Sequence, residues 1–273
     1  CMSEDKTSNV QKAKDFVRES AVNGAQIILL PELFESLYFC KDMDSKYFSF
    51  ASALENNSLI QQFSNLAKEL KVVILVSYFE KAKEEYFNSL VVIDANGEVM
   101  DNYRKTHIPD GPGYEEKFYF KPGDTGFKVW DTAYGKIGVG ICWDQWFCET
   151  ARALTLMGAE IIFYPTAIGS EPEIGLDSKE HWQRVQMGHA ATNTVPVVVA
   201  NRIGEEVGES CSLSFYGSSF ITDYTGEKIA EASRDKEEIL YGEFDLQESA
   251  KQREYWGLLR DRRPETYSVI SKA

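Results

Sequence analysis

A chain of 273 residues with 43% apolar and 26% charged side chains has the composition of a folded globular protein, which excludes disordered, collagen-like and low-complexity chains. Its 29 Lys and Arg against 43 Asp and Glu leave a net charge of −14, which argues against nucleic acid and anionic membranes and is compatible with a cationic small-molecule ligand. No apolar run approaches the ~18 residues of a membrane span, and five widely spaced cysteines give no disulfide framework, so a reducing cytoplasm is the expected setting.

The chain opens Cys1-Met2-Ser3 without an initiator context, and a short segment is expected ahead of it. Residues 9 to 24 read as an amphipathic helix capped by Ser8 or Asn9, with Val10, Ala13, Phe16, Val17 and Ala21 on its apolar face. Gln26 to Leu30 is an apolar run ended by Pro31, the pattern of a strand buried on both faces. A helix over Ser58 to Leu70 feeds a strand over Val72 to Tyr78. Leu90–Ile93, the turn Asp94-Ala-Asn-Gly97 and Glu98–Tyr103 form a hairpin, and the chemistry recurs at Ser219–Thr222, Asp223-Tyr-Thr-Gly226 and Glu227–Ala230. Further strands fit Lys136–Ile141, Ile161–Tyr164, Val197–Ala200 and Ile239–Phe244, and further helices Thr150–Met157 and Lys179–Asn193. No linker divides the chain, so residues 1 to 273 read as a single domain with a layered α/β fold.

Several chemistries lack their residues. Gly-x-Ser-x-Gly is absent, and the three histidines (His107, His181, His189) and five cysteines show no zinc-binding spacing, so neither a serine elbow nor a metal site is expected. Gly135-Lys-Ile-Gly138-Val-Gly140 matches no phosphate or dinucleotide loop; its glycines read as places of close strand approach.

Three residues at strand ends carry the argument. Cys142, in Gly140-Ile-Cys-Trp-Asp144, stands where a strand gives way to a helical segment, and backbone N–H groups there favour a thiolate; a buried core cysteine reads equally well. Glu32 follows the apolar run through Pro31, where ligands sit in open α/β sheets and where desolvation suits a carboxyl to general-base work; alone it also fits a helix-start residue. Lys105, after the first hairpin, is placed to hold a developing oxyanion, or is an exposed loop lysine.

Together the segments Leu29-Leu-Pro-Glu-Leu33, Tyr103-Arg-Lys-Thr-His-Ile108 and Gly140-Ile-Cys-Trp-Asp144 resemble the nitrilase superfamily of carbon–nitrogen hydrolases, and the likeness runs over nearly the whole chain. The resemblance implies a four-layer α-β-β-α sandwich, assembly into a homo-oligomer, and a catalytic triad of Glu32, Lys105 and Cys142. It also implies that Glu116 is a second glutamate orienting Lys105, that the Trp143 N–H joins Lys105 at the oxyanion, and that no metal or organic cofactor is needed. The first strand of such a sandwich precedes the helix at 9 to 24, which would place it ahead of residue 1. Tyr164 to Pro172, Asp177 to Arg184, Gly188 to Ala190, Asn201 to Gly204, Phe215 to Phe220 and Arg260 to Pro264 are similar to the branch that cleaves linear N-carbamoyl amines. Cys148, where that branch usually has proline, and Ser36-Leu37, in place of a Gly-Pro-like pair, depart from it.

The implied substrate is a small cationic ureide, and its distal ammonium calls for carboxylate or carbonyl oxygens. The segment 170 to 177 holds three acids and no base, which makes Glu171 the leading partner for that ammonium, with Tyr38 and Asp110 as weaker channel candidates. Its alternative is a solvated acidic loop. His107 reads as an orienting or loop residue, and His181 and Trp182 as structural. The competing functions are an amidase for another ureide or simple amide, a silent binding scaffold, and a redox sensor using Cys142 and Cys148.

Overall fold

The computed structural model describes residues 1–170, 175–209 and 211–271. Helix α1 (Lys6–Val22) begins where the Asp5 carboxylate accepts the Thr7 N–H, ahead of the expected cap. Asn9 is instead buried within the helix, donating to Ser3 O and Glu35 O. Strand β1 (Ile27–Leu29) follows. Helix α2 (Ser58–Leu70) has the expected span, is capped by the Asn57 side chain and buries Leu59, Phe63 and Leu66. Strands β2 (Val73–Ala82), β3 (Glu85–Ile93) and β4 (Val99–Arg104) then complete a sheet of order β1-β2-β3-β4, in which only β1 and β2 run parallel.

A short helix α3 (Glu116–Tyr119) leads to β5 (Val129–Thr132) and β6 (Gly135–Val139). After a 3-10 turn over Cys142–Trp146 come α4 (Cys148–Leu156), β7 (Ile161–Pro165), α5 (Lys179–Asn193) and β8 (Val197–Ala200). Strands β9 (Ile203–Val207) and β10 (Ser212–Tyr216) pair with each other as a ribbon, and β11 (Phe220–Thr222), β12 (Lys228–Glu231) and α6 (Leu246–Trp256) follow. The second sheet has the order β12-β11-β8-β7-β6-β5, parallel through β6, β7 and β8. Each sheet carries one of the two Asp-x-x-Gly-Glu hairpins, and Gly97 and Gly226 close them at φ 85° and 88°, a conformation glycine adopts without strain.

Side-chain alternation builds the layers. Val73, Leu75, Leu90 and Val92 of the first sheet meet Ile137, Val139, Ile161 and Phe163 of the second. Ile74, Val76, Val91 and Ile93 point the other way, against Val17 of α1 and Phe63 and Leu66 of α2. Ile162, Tyr164, Val197 and Val199 likewise pack on Leu154 of α4 and Trp182 and Ala190 of α5. The order helix, sheet, sheet, helix is the four-layer sandwich that the family resemblance implied.

One expected strand is corrected. Ile239–Phe244 forms no strand: among the described residues it joins no ladder, and extended backbone without a paired neighbour gains no regular hydrogen bonds. It lies instead along a groove of about 810 Å³ shared with β1 and β8. The ribbon β9–β10, strand β5 and helix α6 were not anticipated, their sequences being short or weakly patterned.

Candidate active site

Glu32, Lys105 and Cys142 all stand just past the carboxyl ends of strands, β1 and β4 in one sheet and β6 in the other. Past Glu32 the chain turns through Leu33 at φ 48°, whose N–H donates to Ser77 Oγ of β2 at 3.1 Å. Lys105 is fixed by its backbone: its N–H donates to Asn88 O of β3 at 2.8 Å and its carbonyl accepts from Gly123 N at 2.7 Å. A Cβ on Gly123 would lie 2.0 Å from Arg104 O, so only glycine allows that approach.

The side chains then converge in a buried cluster. Lys105 Nζ lies 2.9 Å from Glu32 Oε1 and 2.7 Å from Glu116 Oε2, and all three side chains are shielded from solvent. Asn88 Nδ2 donates to Glu32 Oε1 at 2.6 Å, and Tyr38 OH donates to Glu116 Oε1 at 2.7 Å. Burial opposes the Lys105 ammonium, but the charges of Glu116 and Glu32 outweigh it and hold its pKa well above the ordinary lysine value. Burial raises Glu116 to about 7 despite the neighbouring Lys105. The second oxygen of Glu32, Oε2, is buried with no hydrogen-bond partner among the described residues.

Cys142 opens the 3-10 turn in the left-handed region, at φ 42°. Its Sγ lies 3.8 Å from Ala167 O and within electrostatic reach of Glu32, Lys105 and Glu116. Burial and then the Glu32 charge push the thiol well above its usual pKa, with Lys105 opposing. That corrects the expected thiolate: a five-residue 3-10 turn offers little helix dipole, and removal from water dominates. A resting thiol beside a carboxylate needs that carboxylate as its base.

Asp144 ties the turn of Cys142 to the loop of Lys105. Its Oδ2 accepts Ile141 N at 2.9 Å and Tyr103 OH at 2.8 Å, while its Oδ1 accepts His107 N at 2.9 Å and lies 2.7 Å from His107 Nδ1. The His107 ring stacks on Phe147 at 3.7 Å, in keeping with an orienting residue. On Gly140 a Cβ would meet Tyr164 at 2.9 Å, so the strand end needs glycine there.

The other expected residues fall differently. Trp143 is 38% exposed, and as the second residue of the turn its N–H has no partner within it. Tyr38 is wholly buried against Glu116 instead of lining an open channel. Asp110 is exposed, 3.8 Å from Lys117 Nζ, and outside the cluster. Glu171 lies outside the described residues. His181 is exposed beside Trp146, and Trp182 is core. Cys148 is free and exposed at the start of α4, whereas Cys142 is free and buried. Sequence reasoning missed the roles of Asn88 and Asp144, for which the signals were an amide inside an apolar strand and an acid two residues past the cysteine.

A thiol, a carboxylate with a free oxygen and a buried ammonium are the parts of acyl transfer through a covalent cysteine intermediate. Comparison with known proteins places the chain in a family. Residues 2–254 match the family profile described as carbon–nitrogen hydrolase. A citrullinase of Francisella tularensis subsp. tularensis is 53% identical over 98% of this chain and 94% of its own, and an N-carbamoylputrescine amidase of Arabidopsis thaliana is 54% identical over 98% and 91%. The crystal structure of a carbon–nitrogen hydrolase from Helicobacter pylori G27 superimposes with a TM-score of 0.93 at 38% identity, covering 100% of this chain and 96% of that one. No helix among the described residues is long and apolar enough to cross a membrane.

Proposed function

The chain belongs to the carbon–nitrogen hydrolase family of the nitrilase superfamily, and within that family of amidases we propose that it hydrolyses N-carbamoylputrescine to putrescine, ammonia and carbon dioxide. The observation that carries the mechanism is the buried group of Glu32, Lys105 and Glu116 within electrostatic reach of Cys142. In this reading Glu32 Oε2 takes the Cys142 proton and Sγ attacks the ureido carbon. The Lys105 ammonium and the Trp143 N–H hold the oxyanion. The amide nitrogen leaves as ammonia with the proton that Glu32 returns, and a carbamoyl thioester stays on Sγ. Water, activated by Glu32, releases a carbamate that loses carbon dioxide to give the free amine. Glu116 keeps Lys105 in place throughout.

The substrate reading rests on similarity to the Arabidopsis amidase, on the net charge of −14 and on the acidic segment at 170 to 177. In the same reading the protein acts in polyamine synthesis in the cytoplasm, as a homo-oligomer. A second reading, citrulline, rests on the Francisella relative. Citrulline shares the ureido group and the ammonium but adds a carboxylate, which calls for a cationic partner.

Ammonia release from N-carbamoylputrescine, L-citrulline, N-carbamoyl-β-alanine and a simple aliphatic amide separates these readings. Preference for the first, abolished in Cys142→Ala, is the expected result. Preference for citrulline overturns the substrate and keeps the chemistry; ordinary turnover by Cys142→Ala overturns the covalent mechanism.

A further inference from the structure

The loop that carries Tyr38 leads straight into a 3-10 turn over Phe39–Lys41, and its backbone is held at three points by charged side chains. Arg202 Nη2 donates to Ser36 O, Glu206 Oε2 accepts Tyr38 N–H at 2.6 Å, and Lys41 Nζ donates to Tyr38 O at 3.1 Å. The clamps are themselves paired, Glu206 lying 3.3 Å from Arg202 and 3.7 Å from Lys41, with every side chain at most 3% exposed. Arg202 and Glu206 flank and join the ribbon β9–β10, which stands outside both sheets.

The same ribbon reaches the opposite wall of the site. Phe215 of β10 packs edge-on against the Tyr38 ring at 5.7 Å and forms a β-bridge with Gly169, two residues from the Ala167 carbonyl that Cys142 Sγ approaches. Tyr38 therefore connects the ribbon to the catalytic cluster through one atom, its hydroxyl on Glu116 Oε1. Burial and the Glu116 charge push that phenol far up, so it remains a donor at any working pH.

We propose that Tyr38 is a positioning residue that orients Glu116 against Lys105, and that the buried Arg202–Glu206 pair of the ribbon acts through Tyr38 to keep it there. The inference rests on the reading of Lys105 and Glu116 as catalytic machinery, but not on the substrate. Without the hydroxyl, the Glu116 carboxylate keeps, among the described residues, the two bonds from Lys105, and the carboxylate and ammonium are free to rotate together. Burying one acid with two bases is seldom a route to stability, since desolvation offsets most of their attraction. A charge cluster with no other evident role is accounted for if it fixes one tyrosine.

The test is a double-mutant cycle of Tyr38→Phe and Glu206→Gln, read by kcat and KM on whichever ureide or amide the parent turns over. Each single variant should lose about tenfold in kcat with KM within about twofold, and the double variant should be no worse than the weaker single one, because both act along one path. Losing the Tyr38 bond should also move the limb of the pH profile set by Glu116 upward. The groups facing that carboxyl are Lys105, Glu32, Tyr38, Cys40 and Cys142, and none of the others is changed. Multiplicative losses near a hundredfold, or Tyr38→Phe with the parent's kcat and pH profile, would overturn the proposal. Should Glu206→Gln fail to fold, Tyr38→Phe alone decides it through the kcat and pH readouts. If the parent hydrolyses none of the compounds, the substrate reading has failed and the cycle is run on the rate of Cys142 alkylation by iodoacetamide, where the same lack of additivity is required.

Discussion

Asp144 joins the turn that begins at Cys142 to the loop after Lys105 by the bonds to Ile141, Tyr103 and His107. Asp144→Ala leaves those buried donors unpaired, and an orphaned donor costs about 1–3 kcal/mol. Chemical denaturation should register a loss of about 3 kcal/mol or more, with turnover lost alongside. Glu32→Gln should behave in the opposite way. It removes one of two buried negative charges around a single ammonium, so the melting temperature should hold or rise while kcat falls by about 10²–10⁴. A fall in both would mean that Glu32 is chiefly structural. The candidate reacting residues were legible because each sits in a short strand-end motif that resembles the family's. Asn88 and Asp144 were not, since nothing in a single sequence says which polar residue of a strand or turn faces its neighbours across the sheets.

At the level of elements, α5 and β7 meet through His189, whose Nδ1 lies 3.2 Å from Tyr164 OH. Burial depresses this imidazole to about 4, with Glu149 pulling weakly the other way. The unfolded chain takes up its proton near 6.5, so between 6.5 and 4 the unfolded state binds more protons and stability drains away as pH falls. His189→Gln should therefore lose less stability between pH 8 and pH 4.5 than the parent does, by about 2–3 kcal/mol, as read from urea midpoints. An unchanged difference would place the acid sensitivity elsewhere. Elements were legible where apolar runs or periodicity were strong, as in α2, α5 and β8. The start of α1 was misplaced because three candidate caps lie within five residues, Asp5, Ser8 and Asn9, and tertiary contacts of Asn9 decide among them. Ile239–Phe244 had the composition of a strand, but a strand also needs a neighbour, which composition does not report.

For the whole molecule, the layer between the two sheets matters most, since Tyr103, Ile141 and Cys142 belong to the same apolar cluster as Leu75, Val139 and Phe163. The site is thus built on the central core and not on an appended loop. Leu75→Ala should cost about 2–5 kcal/mol, and it should lower kcat as well, because the cavity lies between the sheet that carries Lys105 and the one that carries Cys142. Leu66→Ala, in the outer layer under α2, should cost a similar amount of stability and leave kcat near the parent's. Equal effects on kcat would mean that the site does not sense the inter-sheet layer. The four layers were legible through the family resemblance, the apolar strands alone giving a layered α/β fold, whereas the ribbon was not, its strands being short and one of them interrupted by glycine and glutamate.

The backbone at Cys142 has a wider consequence. At φ 42° the position suits glycine better than any residue with a side chain, and a cysteine there is tolerated at about 1–2 kcal/mol. The fold by itself would select against its own nucleophile. A lineage released from the need for turnover would gain stability by replacing it, so inactive descendants of this scaffold should accumulate glycine at 142 and melt no lower than their active parent, a form of decay that leaves the architecture intact.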